Sequence, residues 1–259
     1  MTTSDDLGRL LAAAQQPTQD RGALRVQVFC LPHAGGGAMH FQSWQGWLPH
    51  ASEVIPIDLP GHGRRFREPL VEDWQCLIDD LTGQIVDRIT GPYIVVGHSL
   101  GSLLAYEVAR NLQNRRNSPA LLVVAGRNGP AAGLSHRPIH ELPDSQLLAA
   151  LNRLGGTPAD VDEHPELLAM YLPMLRTDLR LAETYRREPG PPLSCPIAVF
   201  GGRQDPMADS LGMLAWERET TESFDMTIFE GGHFFLTARA FTAALAARLD
   251  RLVEELAAV

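Results

Sequence analysis

The sequence predicts an α/β fold: a mostly parallel central sheet with helices on both faces, interrupted by a helical lid insertion. Three observations predict it. Short apolar, β-branched runs alternate with helical periodicity through residue 126, which is the pattern of a parallel sheet covered by helices. Gly97-His98-Ser99-Leu100-Gly101 stands between one such strand and one such helix. Between residues 134 and 192 the alternation stops, and only helical patterns occur before strands resume at Pro196.

A chain of 259 residues suits one large α/β domain with a sizeable core. Its 44% hydrophobic and 20% charged residues are ordinary for a soluble globular protein. The net charge of −9 argues against nucleic-acid binding and against a surface drawn to anionic lipid. The 3 cysteines lack metal-ligand spacing and cannot all pair, which fits a reducing, cytoplasmic setting. No run approaches the roughly 20 apolar residues of a membrane span. Leu10 to Ala14 is too short for a secretory signal. Residues 1–22 are expected to be a loosely ordered leader, 23–133 with 193–259 the core, and 134–192 the lid. A monomer without metal is expected.

The first strand is Arg25 to Leu31, opening after Pro32 into His33-Ala34-Gly35-Gly36-Gly37. A glycine-rich loop after a strand exposes backbone N–H groups suited to an oxyanion, and this one lacks the lysine and spacing of a nucleotide loop. Glu53 to Asp58 is the second strand, followed by a Pro60-Gly61-His62-Gly63 turn and the basic Arg64, Arg65 and Arg67. Val71 to Ile89 has helical spacing; Tyr93 to Val96 reads as a buried strand, as does Ala120 to Gly126. In the insertion, a helix beginning at Pro143-Asp144 should stop at Gly155-Gly156, and a second over 165–185 should kink or split at Pro173. Pro196 to Gly202 and Met226 to Phe229 are the last strands, and Ala240 to Leu256 is an amphipathic helix.

A serine between Gly97 and Gly101 on a strand-to-helix turn projects its hydroxyl from the sheet edge, with a helix N-terminus behind it. A serine hydroxyl needs a base, and the base an orienting carboxylate, in the chain order Ser, Asp, His. Asp205 follows the penultimate strand and His233 the last, so both loops open at the edge that carries Ser99. Asp209 is the nearest competitor for the acid. His98 and His33 read as packing or structural residues, His62 as a turn residue, and Cys30 as buried and unreactive. Attack by Ser99 on an acyl carbonyl, with the N–H groups of Leu100 and Ala34 holding the oxyanion, is the chemistry this pattern supports.

These features describe a serine α/β-hydrolase and leave the substrate open. The chain further resembles the type II thioesterases of polyketide and nonribosomal peptide synthase systems. The matching segments include Cys30-Leu31-Pro32-His33-Ala34-Gly35-Gly36, Pro60-Gly61-His62-Gly63-Arg64-Arg65, Leu154-Gly155-Gly156-Thr157-Pro158, Leu175-Arg176-Thr177-Asp178 and Gly231-Gly232-His233-Phe234-Phe235-Leu236. Leu100 stands where many relatives have methionine. The resemblance implies removal of stalled or aberrant acyl groups from the phosphopantetheine arm of acyl or peptidyl carrier proteins, met transiently, with no cofactor of the enzyme's own. It places Ser99, Asp205 and His233 as the triad and Ala34 and Leu100 as oxyanion donors. Met170, Tyr171 and Met174 on the lid are candidate substrate contacts. Carriers are usually acidic, as is this chain, so docking calls for a local basic patch, for which Arg64, Arg65 and Arg67 are candidates. The alternatives are a medium-chain fatty acyl thioesterase, a carboxylesterase or lipase, and a non-catalytic partner protein on the same scaffold.

Overall fold

A computed structural model of the protein describes residues 24–155 and 164–258. The expected leader, and Gly156 to Pro158 of the lid motif, lie outside the described residues. Six strands form one sheet: β1 (Val26–Leu31), β2 (Ser52–Pro56), β3 (Tyr93–His98), β4 (Leu121–Ala125), β5 (Ile197–Gly202) and β6 (Phe224–Phe229). Their order is β2-β1-β3-β4-β5-β6, and every pairing is parallel. The expected parallel sheet is present, and among the described residues each of its pairings is parallel. The four inner strands are buried along their whole length, which is why they read as continuous apolar runs rather than alternating ones.

Side chains still alternate between the two faces. Phe29, Leu31, Val95, Leu122 and Val124 face one core cluster, whereas Val28, Cys30, Val96 and Val123 face the other. The first face is covered by α1 (Trp74–Val86) and α2 (Leu100–Asn114). Asp73 caps α1 by accepting from Cys76 N at 2.8 Å. The second face is covered by α6 (Arg239–Ala257) and by a 3-10 stretch, Ala38–Gly46, that seats Trp44 against Phe241 and Phe41 against Trp44. That stretch has no legible periodicity of its own; two buried aromatics hold it in place.

The insertion forms α3 (Asp144–Leu154) and α4 (Pro165–Thr184). Gly155 closes α3 in the left-handed region at φ 77°. Expected to kink or split at Pro173, α4 is a single helical element. Pro173 and Ala169 are both exposed, so the carbonyl that loses its donor faces water. Leu147 and Leu151 pack on Leu172, Leu175 and Leu179 to make a third, smaller cluster that reaches Ala34. A short α5 (Ser210–Leu214) follows β5, capped by Asp209.

Two glycines let α2 approach the sheet. A Cβ on Gly101 would collide with the carbonyls of Leu31 and Pro32, and one on Gly97 with the carbonyl of Gly101. Backbone cannot move aside as a side-chain tip can. Gly101→Ala is therefore expected to cost about 3 kcal/mol or more, read from the urea denaturation midpoint.

Candidate active site

Ser99 joins β3 to α2 with φ 56° and ψ −114°. A positive φ on a residue with a Cβ costs roughly 1–3 kcal/mol and persists only when its surroundings hold it. Here they do. Ser99 N donates to Ala125 O at 2.8 Å, and Ser102 N to Ser99 O at 3.0 Å. The Ser102 hydroxyl lies 3.0 Å from both Gly97 O and Ala125 O. The side chain thus stands above the carboxyl edge of the central strand, at the N-terminus of a 15-residue helix whose dipole favours negative charge there.

The loops after β5 and β6 bring Asp205 and His233 together. Arg203 N donates to Phe229 O at 2.8 Å and Gln204 N to Gly231 O at 2.9 Å. Gly202 leaves no room for a Cβ beside the carbonyls of Gly231 and Gly232. Asp205 Oδ2 lies 2.8 Å from His233 Nδ1, and Oδ1 accepts from Met207 N at 2.8 Å. Both side chains are buried. With a carboxylate against it, Nδ1 carries the proton, leaving the Nε2 lone pair as the basic site. Asp209 does not compete: its carboxylate accepts from Gly212 N at 2.8 Å as the cap of α5.

His98, the residue before Ser99, sets the position of the His233 main chain. Its Nε2 donates to His233 O at 2.9 Å, and the two rings are 5.0 Å apart. Ser99 Oγ has no hydrogen-bond partner among the described residues, so it is free to turn toward Nε2; such contacts tighten when substrate binds. Burial, followed by repulsion from His233 and His33, pushes the His98 pKa well below 6.5. Burial, with His40 and His233 nearby, brings His33 down to about 3. Both rings are neutral near pH 7 and add no positive charge beside His233. Burial raises the Cys30 thiol pKa, which keeps it inert as expected.

The loop after β1 is held from the helical insertion. Asp178 on α4 uses one oxygen, Oδ2, to accept from Gly35 N at 2.7 Å and to meet His62 Nε2 at 2.8 Å. His62 Nδ1 lies 2.9 Å from Pro60 O. Gly35 takes φ +73°, and the Tyr171 hydroxyl sits where its Cβ would be. Tyr171, Leu175 and Asp178 share the inner face of α4 by their spacing. Among the described residues the N–H groups of Ala34 and Leu100 have no acceptor, so both are available to a substrate oxygen. The sequence reading took His62 for a turn residue and missed the role of Asp178. The signal was present in Leu175-Arg176-Thr177-Asp178, but no local rule connects it to Gly35.

The His62–Asp178 pair makes stability depend on pH. Burial lowers the His62 pKa, but the hydrogen bond and charge of Asp178 more than offset this and leave it above 6.5. A histidine whose folded value exceeds its unfolded value contributes full stabilisation below the unfolded value. That contribution is lost as pH rises through the folded one. Denaturation midpoints are expected to fall from pH 6.5 upward in the wild type and to flatten in His62→Gln. An identical slope in the two proteins would remove this pair as the cause.

Several expected contacts stand elsewhere. Met170 is 70% exposed, on the outer side of α4, because it lies about 100° around the helix from Tyr171. Met174 is half-buried. Arg65 is committed to structure: its guanidinium bonds Asp80 at 2.6 Å and Glu68 at 2.5 Å, so it is not a free docking cation. Arg64 is 80% exposed with a 3.4 Å contact to Asp58, and exposed Arg67 stacks over Phe66 at 5.4 Å. No cluster of three or more His, Cys, Asp or Glu suited to a metal occurs among the described residues. No helix among them is long and apolar enough to cross a membrane.

Residues 26–252 match the model of the thioesterase domain family. The chain is 37% identical over 215 residues to a Brevibacillus parabrevis protein named linear gramicidin dehydrogenase LgrE, covering 82% of each chain. It is 36% identical to thioesterase PikA5 of Streptomyces venezuelae, covering 82% of this chain and 75% of that one. Among solved structures it superposes with a TM-score of 0.80 on the type II thioesterase BorB of the borrelidin biosynthetic cluster, at 34% identity, over 92% of this chain and 94% of that one. The α/β-hydrolase sheet, the strained Ser99 and the Asp205–His233 pair agree with these likenesses, and the chain belongs to the thioesterase family, as a type II thioesterase that hydrolyses acyl thioesters.

Proposed function

We propose that the protein is an editing thioesterase that clears aberrant or stalled acyl groups from the phosphopantetheine arms of carrier proteins in polyketide or nonribosomal peptide assembly. The observation that carries the chemistry is the 2.8 Å His233–Asp205 contact, with Ser99 on its strained turn next to His98. The names of the relatives support the setting, and cytoplasmic work as a monomer is part of the proposal.

Ser99 Oγ attacks the thioester carbonyl while His233 Nε2 takes its proton. Asp205 orients the ring and stabilises the imidazolium. The N–H groups of Ala34 and Leu100 hold the oxyanion of the tetrahedral intermediate. Collapse breaks the C–S bond, and the imidazolium protonates the departing thiolate. Water then gives its proton to His233 and attacks the acyl-enzyme. A second collapse releases the carboxylic acid and returns the proton to Ser99. Residues 134–192 act as the lid, with Tyr171 and Met174 as its substrate-facing members.

Carrier docking is assigned to Arg64 and Arg67, with exposed Phe66 between them. The test is hydrolysis of a panel of acyl groups, each presented on carrier protein and on a small thioester. Arg64→Glu/Arg67→Glu is expected to lower kcat/KM about tenfold on carrier, since each rim charge is worth under about 1 kcal/mol in water but both also steer encounter. It should leave the small thioester untouched; equal loss on both sinks the docking assignment. Preference for long chains over acetyl and propionyl would instead favour a chain-terminating fatty acyl thioesterase.

A further inference from the structure

A cavity of about 370 Å³ opens on the second face of the sheet, between the Ala38–Gly46 stretch and the start of α6. Ser99 does not line it, yet its inner wall includes His98 and Phe234, the immediate neighbours of Ser99 and His233 in sequence. Trp44 and Trp47 form an aromatic side. Toward the outside the lining turns polar, with Thr242 and the exposed Arg239.

Two of its polar side chains have no hydrogen-bond or ion-pair partner among the described residues. The His33 side chain is 8% exposed, lines the cavity, and makes no hydrogen bond among the described residues. It packs beside Gly36 and near three rings, His40 at 4.5 Å, Phe234 at 5.0 Å and His98 at 5.3 Å. A neutral imidazole offers one donor and one acceptor, the complement of a secondary amide. The Arg239 guanidinium has no acidic partner among the described residues. A hydrocarbon chain would leave the buried His33 ring unsatisfied, at a desolvation cost, and would make no use of the Arg239 charge at the mouth. An arm carrying amides and ending in a phosphate would satisfy both.

The loop after β1 separates this cavity from the lid. His33 faces the cavity, whereas Gly35 is covered by Tyr171 and Leu175 of α4. With the acyl group assigned to the lid side, where Leu175 and the Tyr171 ring stand beside Gly35, the cavity is left to the other half of the thioester. We propose that this cavity receives the thiol-side arm, with His33 bonding an amide of the arm and Arg239 meeting its phosphate. The inference rests on the thioesterase reading of Ser99 and adds to it the side from which the arm arrives.

The test compares kcat/KM for one acyl group carried on 4′-phosphopantetheine and on N-acetylcysteamine, which lacks the phosphate and the distal amide. Wild type is expected to prefer the long arm. Arg239→Ala should reduce that preference about tenfold through KM, the worth of one charge-assisted hydrogen bond. Thr242→Trp, which fills the cavity, should abolish it, and Arg239→Ala, at an exposed position, serves if the larger substitution fails to fold. A preference unchanged in Arg239→Ala overturns the proposal. So does a shift in acyl-length preference in Thr242→Trp, which would place the acyl chain in the cavity. If wild type hydrolyses neither thioester, the thioesterase reading itself fails. Titration of the Ser99→Ala protein with free 4′-phosphopantetheine, followed by tryptophan fluorescence, then decides the cavity alone. Saturable change that Arg239→Ala weakens supports it, and no change overturns it.

Discussion

Ser99→Ala and His233→Ala are each expected to lower turnover of an acyl thioester by about 10⁶-fold, because members of such a unit fail together. The double variant should be no worse than either alone. Asp205→Asn is expected to cost about 10⁴-fold: its amide can donate to His233 Nδ1, which would move the ring proton to the nitrogen that must act as base. Ser99→Ala and Asp205→Asn should keep a wild-type circular dichroism spectrum and melting profile, whereas His233→Ala should keep the spectrum but melt lower, because it leaves the buried Asp205 carboxylate without its partner. In Ser99→Ala the hydrogen bonds that hold the turn are made by the Ser99 backbone and by Ser102, so the φ of 56° survives the substitution. Turnover by Ser99→Ala within tenfold of wild type would remove the serine from the mechanism. Wild-type turnover in Asp205→Asn would do the same for the orienting carboxylate.

Asp178→Ala is expected to be the most damaging change away from the reacting atoms. It leaves a buried His62 and the Gly35 N–H without their shared acceptor. Breaking a buried charged pair by removing one partner costs roughly 3–5 kcal/mol. The loop that carries the Ala34 N–H would lose its tether to α4, so kcat should fall by up to about 10²–10³-fold, the worth of one oxyanion donor. KM should change little, because the donor matters most once charge has developed on the oxygen. Asp178→Asn separates charge from geometry. Since a single oxygen receives both contacts, the amide oxygen can take its place. Most of kcat should return, while the pH dependence traced to His62 should weaken. An Asp178→Ala protein with wild-type kcat would show that the hold of α4 on the loop after β1 does not matter to catalysis.

Much of the fold was legible because its rules are local. β1, β3, β4 and β5 announced themselves as apolar runs, since a strand buried on both faces admits little else. Gly97 and Gly101 flank Ser99 because the helix must pass close to backbone. Their spacing is visible without any partner. Strand order after Ser99 put Asp205 and His233 at one edge, because parallel strands end on the same side. The outline of the site was therefore in the sequence, and so was the boundary of α3 at Gly155.

Other features turned on contacts between distant segments. Asp205 and Asp209 lie four residues apart with the same carboxylate, and only the fold gives one to His233 and the other to Gly212 N. Arg65 looked as free as Arg64 and Arg67 until Asp80, on α1, closed on it. Met170 and Tyr171 are adjacent, yet helix packing buries part of one and exposes the other. The Ala38–Gly46 stretch has no periodicity that declares it, since Trp44 and Phe241 hold it across nearly the whole chain. Ser99 and its strand-turn-helix setting were determined by the sequence itself, through backbone sterics and the burial pattern of neighbouring residues. The acid that serves His233, the hold of Asp178 on Gly35 and the cavity behind His33 were decided by tertiary structure, because hydrogen-bond partners and empty space exist only once distant segments have packed.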